Sequence, residues 1–282
     1  MEKRALRAVA VLVFLILISF ASQKYDSFEI GNRSDVVCAI RDGYKHRAQN
    51  ITLIFRARVN DNKGLKDLAA GLIEEAMEET GSADEGDYIR YQNGGYTLGC
   101  SVRKKGMIYE YELVITPDYY TYLYQEEYVD DEVDRIIREN GLLDMDEYEA
   151  AKCIYEYIYD TVSYDTVHKL KENNYLKNTA YSALYYHTAA CQGYCLLFYR
   201  LCMEAGISCR VITGTYTDES GESERHAWNA VRIGDSWYAA DVTVDKSTGD
   251  KRFFLCGSED FTGHESDDKF LYLHLSQKSY NR

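Results

Sequence analysis

Arg225-His-Ala-Trp-Asn-Ala-Val-Arg-Ile233, then Gly234-Asp235, then Ser236-Trp-Tyr-Ala-Ala-Asp-Val-Thr-Val244 is the stretch that decides the fold. Both flanks are rich in Trp, Val, Tyr and Thr, residues that suit a pleated, half-buried strand. Two residues between them, glycine first, are the length and chemistry of a tight hairpin. Such a loop pairs Ile233 with Ser236, and counting outward pairs Trp228 with Asp241 and His226 with Thr243. Strand side chains alternate, so His226, Trp228, Asp241 and Thr243 are expected on one face. His226 and Asp241 are then diagonal neighbours, about 7–8 Å apart at Cα. A carboxylate so placed holds an imidazole in one tautomer and stabilises its charged form. Asn229 points the other way and is expected to be structural.

Working upstream, Thr188-Ala-Ala-Cys-Gln-Gly-Tyr-Cys195 leads into a run where Cys195, Phe198, Leu201, Cys202 and Ala205 recur at three- and four-residue steps. That spacing predicts a helix of about four turns, with Gly206 just past its end. Cys191 opens this helix, where unpaired N–H groups and the positive end of the dipole favour a thiolate. A cysteine, a histidine and an aspartate in such settings supply a nucleophile, a base and an orienting group.

Cys-Gln-Gly-Tyr (191–194), His-Ala-Trp-Asn-x-Val (226–231) and Trp-Tyr-x-x-Asp-Val-Thr (237–243) resemble the three motifs of the bacterial transglutaminase-like superfamily, a branch of the papain-like fold. The likeness runs from about Asp144 to about Asp260 and includes Tyr164-Asp165 and Phe253-Phe-Leu255. It implies Cys191 as nucleophile, His226 as base and Asp241 as its orienter. Val244 departs from relatives that carry Trp there, which alters the wall beside the site and not the triad. The fold class expected is α+β: a papain-like/transglutaminase-like core, with a Cys-bearing helix packed on an antiparallel sheet bearing His and Asp, after an N-terminal α+β region. The chemistry expected is covalent acyl transfer on amide bonds of peptides or proteins, cell-wall peptides among them, with no cofactor. Hydrolysis is slightly preferred over transamidation. The main-chain N–H of Cys191 is one expected oxyanion donor, and Gln192, Tyr185 and His187 are candidates for the second. Trp228 is a candidate for lining the substrate groove.

At 282 residues, 46% hydrophobic and 13% aromatic, the chain can bury a substantial core and is not of disordered composition. Met1-Glu-Lys-Arg-Ala-Leu-Arg7 is basic, Ala8 to Phe20 is apolar but short for a membrane span, and Ser19-Phe-Ala21 offers small residues for cleavage. Residues 1–21 therefore read as a secretory signal, with a retained N-terminal anchor as the alternative, and the protein is expected to be secreted or at the cell surface. The formal charge is −14, and −16 once residues 1–21 take away three basic residues and one acidic. Such a chain is repelled by nucleic acid and by anionic membrane surfaces. Neither is an expected partner, and no tight membrane association is expected unless the N-terminal segment is retained.

Ile51 to Val59 alternates as a strand, and Asp61 or Asn62 caps a helix to about Thr80. Tyr96–Val102 and Met107–Ile115 read as a hairpin, with Met107, Tyr109, Tyr111, Leu113 and Ile115 on one face. Asp144-Met-Asp-Glu147 has the form of a helix start. The organisation expected is a signal at 1–21, an α+β region of unknown function at 22–142 and the catalytic domain at 143–282. The eight cysteines match no small disulfide scaffold, and Cys195, Cys202 and Cys209 read as buried hydrophobes. No C-x-x-C pair or H-E-x-x-H is present, so no metal ligands are expected. Asp218 to Glu224 reads as a solvated hairpin loop. His168, His187, His264 and His274 carry no motif and read as ordinary histidines. Two other function classes compete: a binding or surface-assembly module that keeps the fold without the chemistry, and a thiol-redox protein using Cys191 and Cys195. The second is disfavoured by its C-x-x-x-C spacing.

Overall fold

The computed structural model describes residues 23–25, 28–30, 32–165 and 175–281. The expected signal at 1–21 and His168 lie outside the described residues. Two compact units divide the chain. One comprises the described residues up to Gly43 with Ala48–Ala76 and Tyr96–Pro117, and the other comprises Tyr44–Arg47, Met77–Gly95 and everything described from Asp118 on.

In the first unit a five-stranded sheet runs in the order β1-β2-β3-β5-β4. Its strands are β1 (Gln23–Tyr25), β2 (Phe28–Ile30), β3 (Ile51–Ala57), β4 (Asn93–Lys105) and β5 (Ile108–Tyr119). The alternation read in the sequence holds: Ile51, Leu53, Phe55 and Ala57 are all buried, and Ile51, Leu53 and Phe55 face Ile115, Leu113 and Tyr111 across the ladder. Met107 falls in the turn instead and is exposed. Helix α1 (Arg33–Lys45) leads into β3, and α2 (Asn62–Ala76) buries Leu65, Leu68, Ala69, Leu72 and Ile73 on one side. Asp61 is the residue that caps α2, its carboxylate accepting the Gly64 N–H at 2.8 Å. The helix ends at Ala76, four residues short of the expected Thr80.

The second unit carries an antiparallel sheet in the order β10-β9-β8-β11. These strands are β8 (Cys209–Thr217), β9 (Ser223–Ile233), β10 (Ser236–Ala240) and β11 (His264–Ser266). A short parallel pair joins β6 (Ser163–Tyr164) to β7 (Thr188–Ala189). The helices are α3 (Asp87–Tyr91), α4 (Leu123–Glu139), α5 (Glu147–Thr161), α6 (Cys191–Glu204) and α7 (Val242–Thr248). Asp146 caps α5 by accepting from the Glu149 N–H at 2.8 Å, two residues later than the start read at Asp144, because residues 142–144 form a separate 3-10 turn. The mixed helix and sheet content is the α+β class expected.

Helix α6 is central. Every residue from Gly193 to Cys202 is buried, and the helix packs among α5, β8 and β9. Its apolar residues surround the axis instead of forming one stripe, which suits a helix enclosed on all sides. The exception is Arg200, which is nevertheless buried, 2.7 Å from the Asp130 carboxylate and over the Tyr88 ring. At its far end Gly206 takes a positive φ of 78°, its N–H bonds the Met203 carbonyl, and the Ile207 N–H bonds that of Cys202. This paired arrangement closes a helix on a left-handed glycine, as Gly206 was expected to do.

This unit also takes in residues 77–95 and 118–142, ahead of the expected start of the catalytic domain at 143. Buried polar pairs hold them there. The Asp87 carboxylate receives Arg210 Nε at 2.7 Å and the Val211 N–H at 2.9 Å, while Tyr199 donates to Glu79 and Tyr88 to Glu126.

Candidate active site

Cys191 is the first residue of α6 and is half-buried. The chain enters the helix through Ala190, extended in backbone, whose N–H bonds the Lys177 carbonyl at 2.9 Å. The first turn is pressed close to the segment below it. A Cβ at Gly193 would lie 2.7 Å from Lys177 O, 2.8 Å from Ala189 Cβ and 2.9 Å from Thr179 O. Glycine in the Cys-Gln-Gly-Tyr motif thus permits the close approach that sets the height of Cys191. Gly193→Ala is expected to destabilise the protein by about 1–3 kcal/mol, because two of the three obstructing atoms are backbone oxygens that cannot rotate away. Thermal denaturation checks this, and an unchanged midpoint would disprove the packing argument.

His226 rides on β9, an inner strand paired with β8 on one side and β10 on the other. The hairpin register is the one read from the loop, with Ile233 opposite Ser236 and Asn229 opposite Ala240. The ladder stops there. Residues 242–244, expected to continue β10 as far as Val244, instead begin α7, and Asp241 is that helix's N-cap. Its Oδ1 accepts the N–H groups of Thr243 at 2.9 Å and Val244 at 3.0 Å. The Asp241 main chain is pinned as well: its N–H bonds Phe253 O at 2.8 Å, and its carbonyl lies 3.1 Å from the Tyr155 hydroxyl, which also donates to Asp245. With Oδ1 committed to the cap, Oδ2 faces the imidazole, and His226 Nε2 lies 2.7 Å from it. A carboxylate only accepts, so Nε2 carries the proton in this contact, and Nδ1 is the ring nitrogen not engaged by Asp241.

Electrostatics follow from this enclosure. Burial by itself would lower the His226 pKa, but the Asp241 charge and hydrogen bond, joined by contact with Cys191, raise it from 6.5 to about 10. Burial would likewise raise Asp241, yet the two imidazoles that face it hold its carboxyl well below the ordinary carboxylate range.

The second imidazole is that of His264, which carried no motif. Its Nε2 lies 2.9 Å from the same Asp241 Oδ2, and its side chain is fully buried. Reading it as an ordinary histidine is corrected by this contact. His226, Asp241 and His264 also form a group of potential metal ligands, with ligating atoms within 4.8 Å of one another. Two ligands at about 2.0–2.1 Å from a tetrahedral zinc stand roughly 3.3 Å apart, whereas these nitrogens stand 2.7 and 2.9 Å from the oxygen. As placed, the spacing is that of hydrogen bonds.

Trp228, expected to line a substrate groove, is only 3% exposed. It lies roughly parallel to the His226 ring at 6.2 Å and packs against Phe261 and His264. It closes the site from beneath instead of opening onto it, because Phe253, Phe261 and Phe270 cover that face of the sheet. Val244 is buried in the same cluster. Gln192 stands beside Cys191 with its Nε2 donating to Tyr91 O at 2.6 Å. Tyr185 is exposed and packs on Tyr128, Tyr181 and Tyr186. His187 is exposed, in the left-handed region at φ 53°, and its carbonyl accepts the Ser163 N–H. Of the three side chains considered for the oxyanion, Gln192 is therefore the one fixed next to the cysteine. Asn229 ties strand to helix, its amide donating to the Cys195 carbonyl at 3.1 Å and the Arg210 carbonyl at 3.2 Å. The acidic loop folds on itself, with Asp218 accepting from Ser220 and from the Glu222 N–H. Cys195, Cys202 and Cys209 are buried thiols.

Among the described residues no helix is long and apolar enough to cross a membrane. No curated protein matches the chain. Among solved structures it is similar to a TGase, at 17% identity over 67% of this chain and 50% of that one, with a TM-score of 0.35. It is also similar to a proposed cysteine protease from Cytophaga hutchinsonii, at 14% identity over 60% of this chain and 65% of that one, with a TM-score of 0.36. The chain thus spans half the length of the first and about two-thirds of the second. Residues 138–242, which hold Cys191, His226 and Asp241, match the transglutaminase-like superfamily.

Proposed function

We propose that this protein is a cysteine-dependent acyl-transfer enzyme acting on amide bonds of peptides or proteins. The observation that carries the reading is the buried His226–Asp241 pair at 2.7 Å, together with a cysteine at a helix N-terminus whose interaction with the imidazole helps to raise its pKa. In this reading His226 takes the Cys191 proton, and the sulfur attacks the amide carbon. The main-chain N–H of Cys191 and the Gln192 amide receive the developing oxyanion. The C–N bond then breaks, His226 returns the proton to the departing nitrogen, and a thioester remains. Water or a primary amine attacks the thioester, gives its proton to His226 and frees Cys191. Hydrolysis is the outcome we favour, on peptides or cell-wall peptides met after export, since an extracellular site is surrounded by water.

Alkylation discriminates this from a domain without chemistry. Cys38 and Cys100 are exposed, while Cys191 is only half-exposed, so reactivity ranked by access alone places Cys191 behind them. With limiting iodoacetamide at pH 6, read residue by residue by mass spectrometry, Cys191 is expected to label first. That preference is expected to vanish in His226→Ala. Labelling in order of exposure would end the nucleophile assignment.

A further inference from the structure

The Asp241 carboxylate has two imidazole partners, and a Cys-His-Asp relay calls for one. Oδ1 is taken by two N–H groups of the α7 cap, so the carboxylate cannot rotate without breaking the helix start. Oδ2 is then approached by His226 Nε2 at 2.7 Å and His264 Nε2 at 2.9 Å. His264 is held as firmly as His226. Its backbone sits on β11, opposite Tyr216 of β8, and its Nδ1 lies 3.0 Å from the Thr262 carbonyl. Its ring stacks on Phe261 with centroids 3.8 Å apart, and Tyr216, Phe253 and Trp228 close the remaining sides at 4.7, 5.0 and 5.1 Å. The ring can therefore neither turn its nitrogen away from Oδ2 nor leave.

We infer that His264 is a second positioning residue of this site, holding Asp241 Oδ2 in line for His226. A carboxylate oxygen only accepts, so the contact with Asp241 Oδ2 is a hydrogen bond donated by His264 Nε2. The donor has two effects. It fixes the carboxylate from the side opposite the cap, and it takes a share of the Oδ2 charge that otherwise falls wholly on His226. His264 touches no reacting atom and acts through Asp241. The consequence for catalysis rests on the proposed roles of Cys191 and His226, but the positioning of Asp241 and His226 does not.

Two substitutions separate donor from packing. His264→Phe keeps an aromatic ring between Phe261 and Tyr216 and removes the donor. His264→Gln places an amide N–H near the position of Nε2. In His264→Phe the second-order rate of Cys191 alkylation is expected to fall about tenfold, with its pH profile displaced. The His226 ring titration, followed by nitrogen-15 NMR, is expected to move upward by half a pH unit or more, since Oδ2 then has one donor fewer. His264→Gln is expected to return both readouts to within about threefold and a few tenths of a unit of wild type. Wild-type titration and alkylation in both variants would overturn the inference. So would equal impairment of both with a lowered melting temperature, which is the signature of packing alone. If wild-type Cys191 shows no selective alkylation, the catalytic reading fails, and the His226 titration in the two variants still decides the role of His264.

Discussion

Cys191→Ala is expected to abolish amide cleavage and transfer, by about 10⁴-fold or more, while leaving the melting temperature close to that of the parent. The first effect is large because covalent catalysis has no substitute for its nucleophile. An oxyanion site and a positioned imidazole without sulfur can only assist water. The second effect is small because Cys191 sits half-buried at the first position of α6 and caps nothing. The buried contacts of the helix begin at Gly193 and run to Cys202. Removing one sulfur at the rim leaves them intact, a change of the size of ordinary surface substitutions, about 0.5 kcal/mol. Release of ammonia or amine from a panel of peptide amides, measured beside calorimetry of both proteins, checks the pair of expectations. Turnover that survives in Cys191→Ala would place the chemistry elsewhere.

Asp241→Asn is expected to be nearly as damaging, for a different reason. The asparagine carbonyl can still cap α7, so the helix start survives. Its amide then faces His226 and His264 with hydrogens where both need an acceptor. His226 is driven to the tautomer protonated on Nδ1, the nitrogen that must accept from Cys191. A loss of about 10²–10⁴ in turnover at neutral pH follows. Stability reports the same change independently. In the parent, the His226 pKa rises from 6.5 to about 10 on folding. The pair therefore stabilises the fold fully below about pH 6.5, and that contribution is lost as pH climbs through about 10. Melting temperatures at pH 6 and pH 10 should differ less in Asp241→Asn than in the parent. An undiminished difference would show that the pair contributes nothing to folding.

The parts of this site that local rules determine were readable from residues alone. A two-residue loop admits one register, so the pairing of Ile233 with Ser236 could be counted outward. The end of β10 could not be. Asp241-Val-Thr-Val244 is as β-branched as any strand, and a helix of seven residues shows too little period to outvote it. The aspartate before it was the competing signal, since Asp is a preferred N-cap. Alternation placed Trp228 on the correct face but says nothing of depth, which depends on three phenylalanines arriving from residues 253–270. His264 was invisible for a related reason. It reaches Asp241 through three rungs of β11 on β8, a pairing with no loop to announce it. The polar contacts of Glu79, Asp87 and Tyr88, which tie residues 77–95 to the second unit, leave no hydrophobic pattern to read.

The two histidines on Asp241 stand on elements of very different depth. His226 belongs to an eleven-residue strand with a neighbour on each side, while His264 belongs to a three-residue strand at the sheet's rim. Opening a short rim strand breaks few ladder bonds and costs far less than opening an inner one, which parts only when the whole unit does. Amide protection across the sheet is therefore expected to be graded, highest along 226–231 and lowest at 264–266. His226 belongs to the part expected to exchange slowly, and His264 to the part expected to exchange fast. The carboxylate thus draws one donor from the interior of the sheet and one from its margin, and the packing of the His264 ring is what the short strand β11 relies on to keep the second in place.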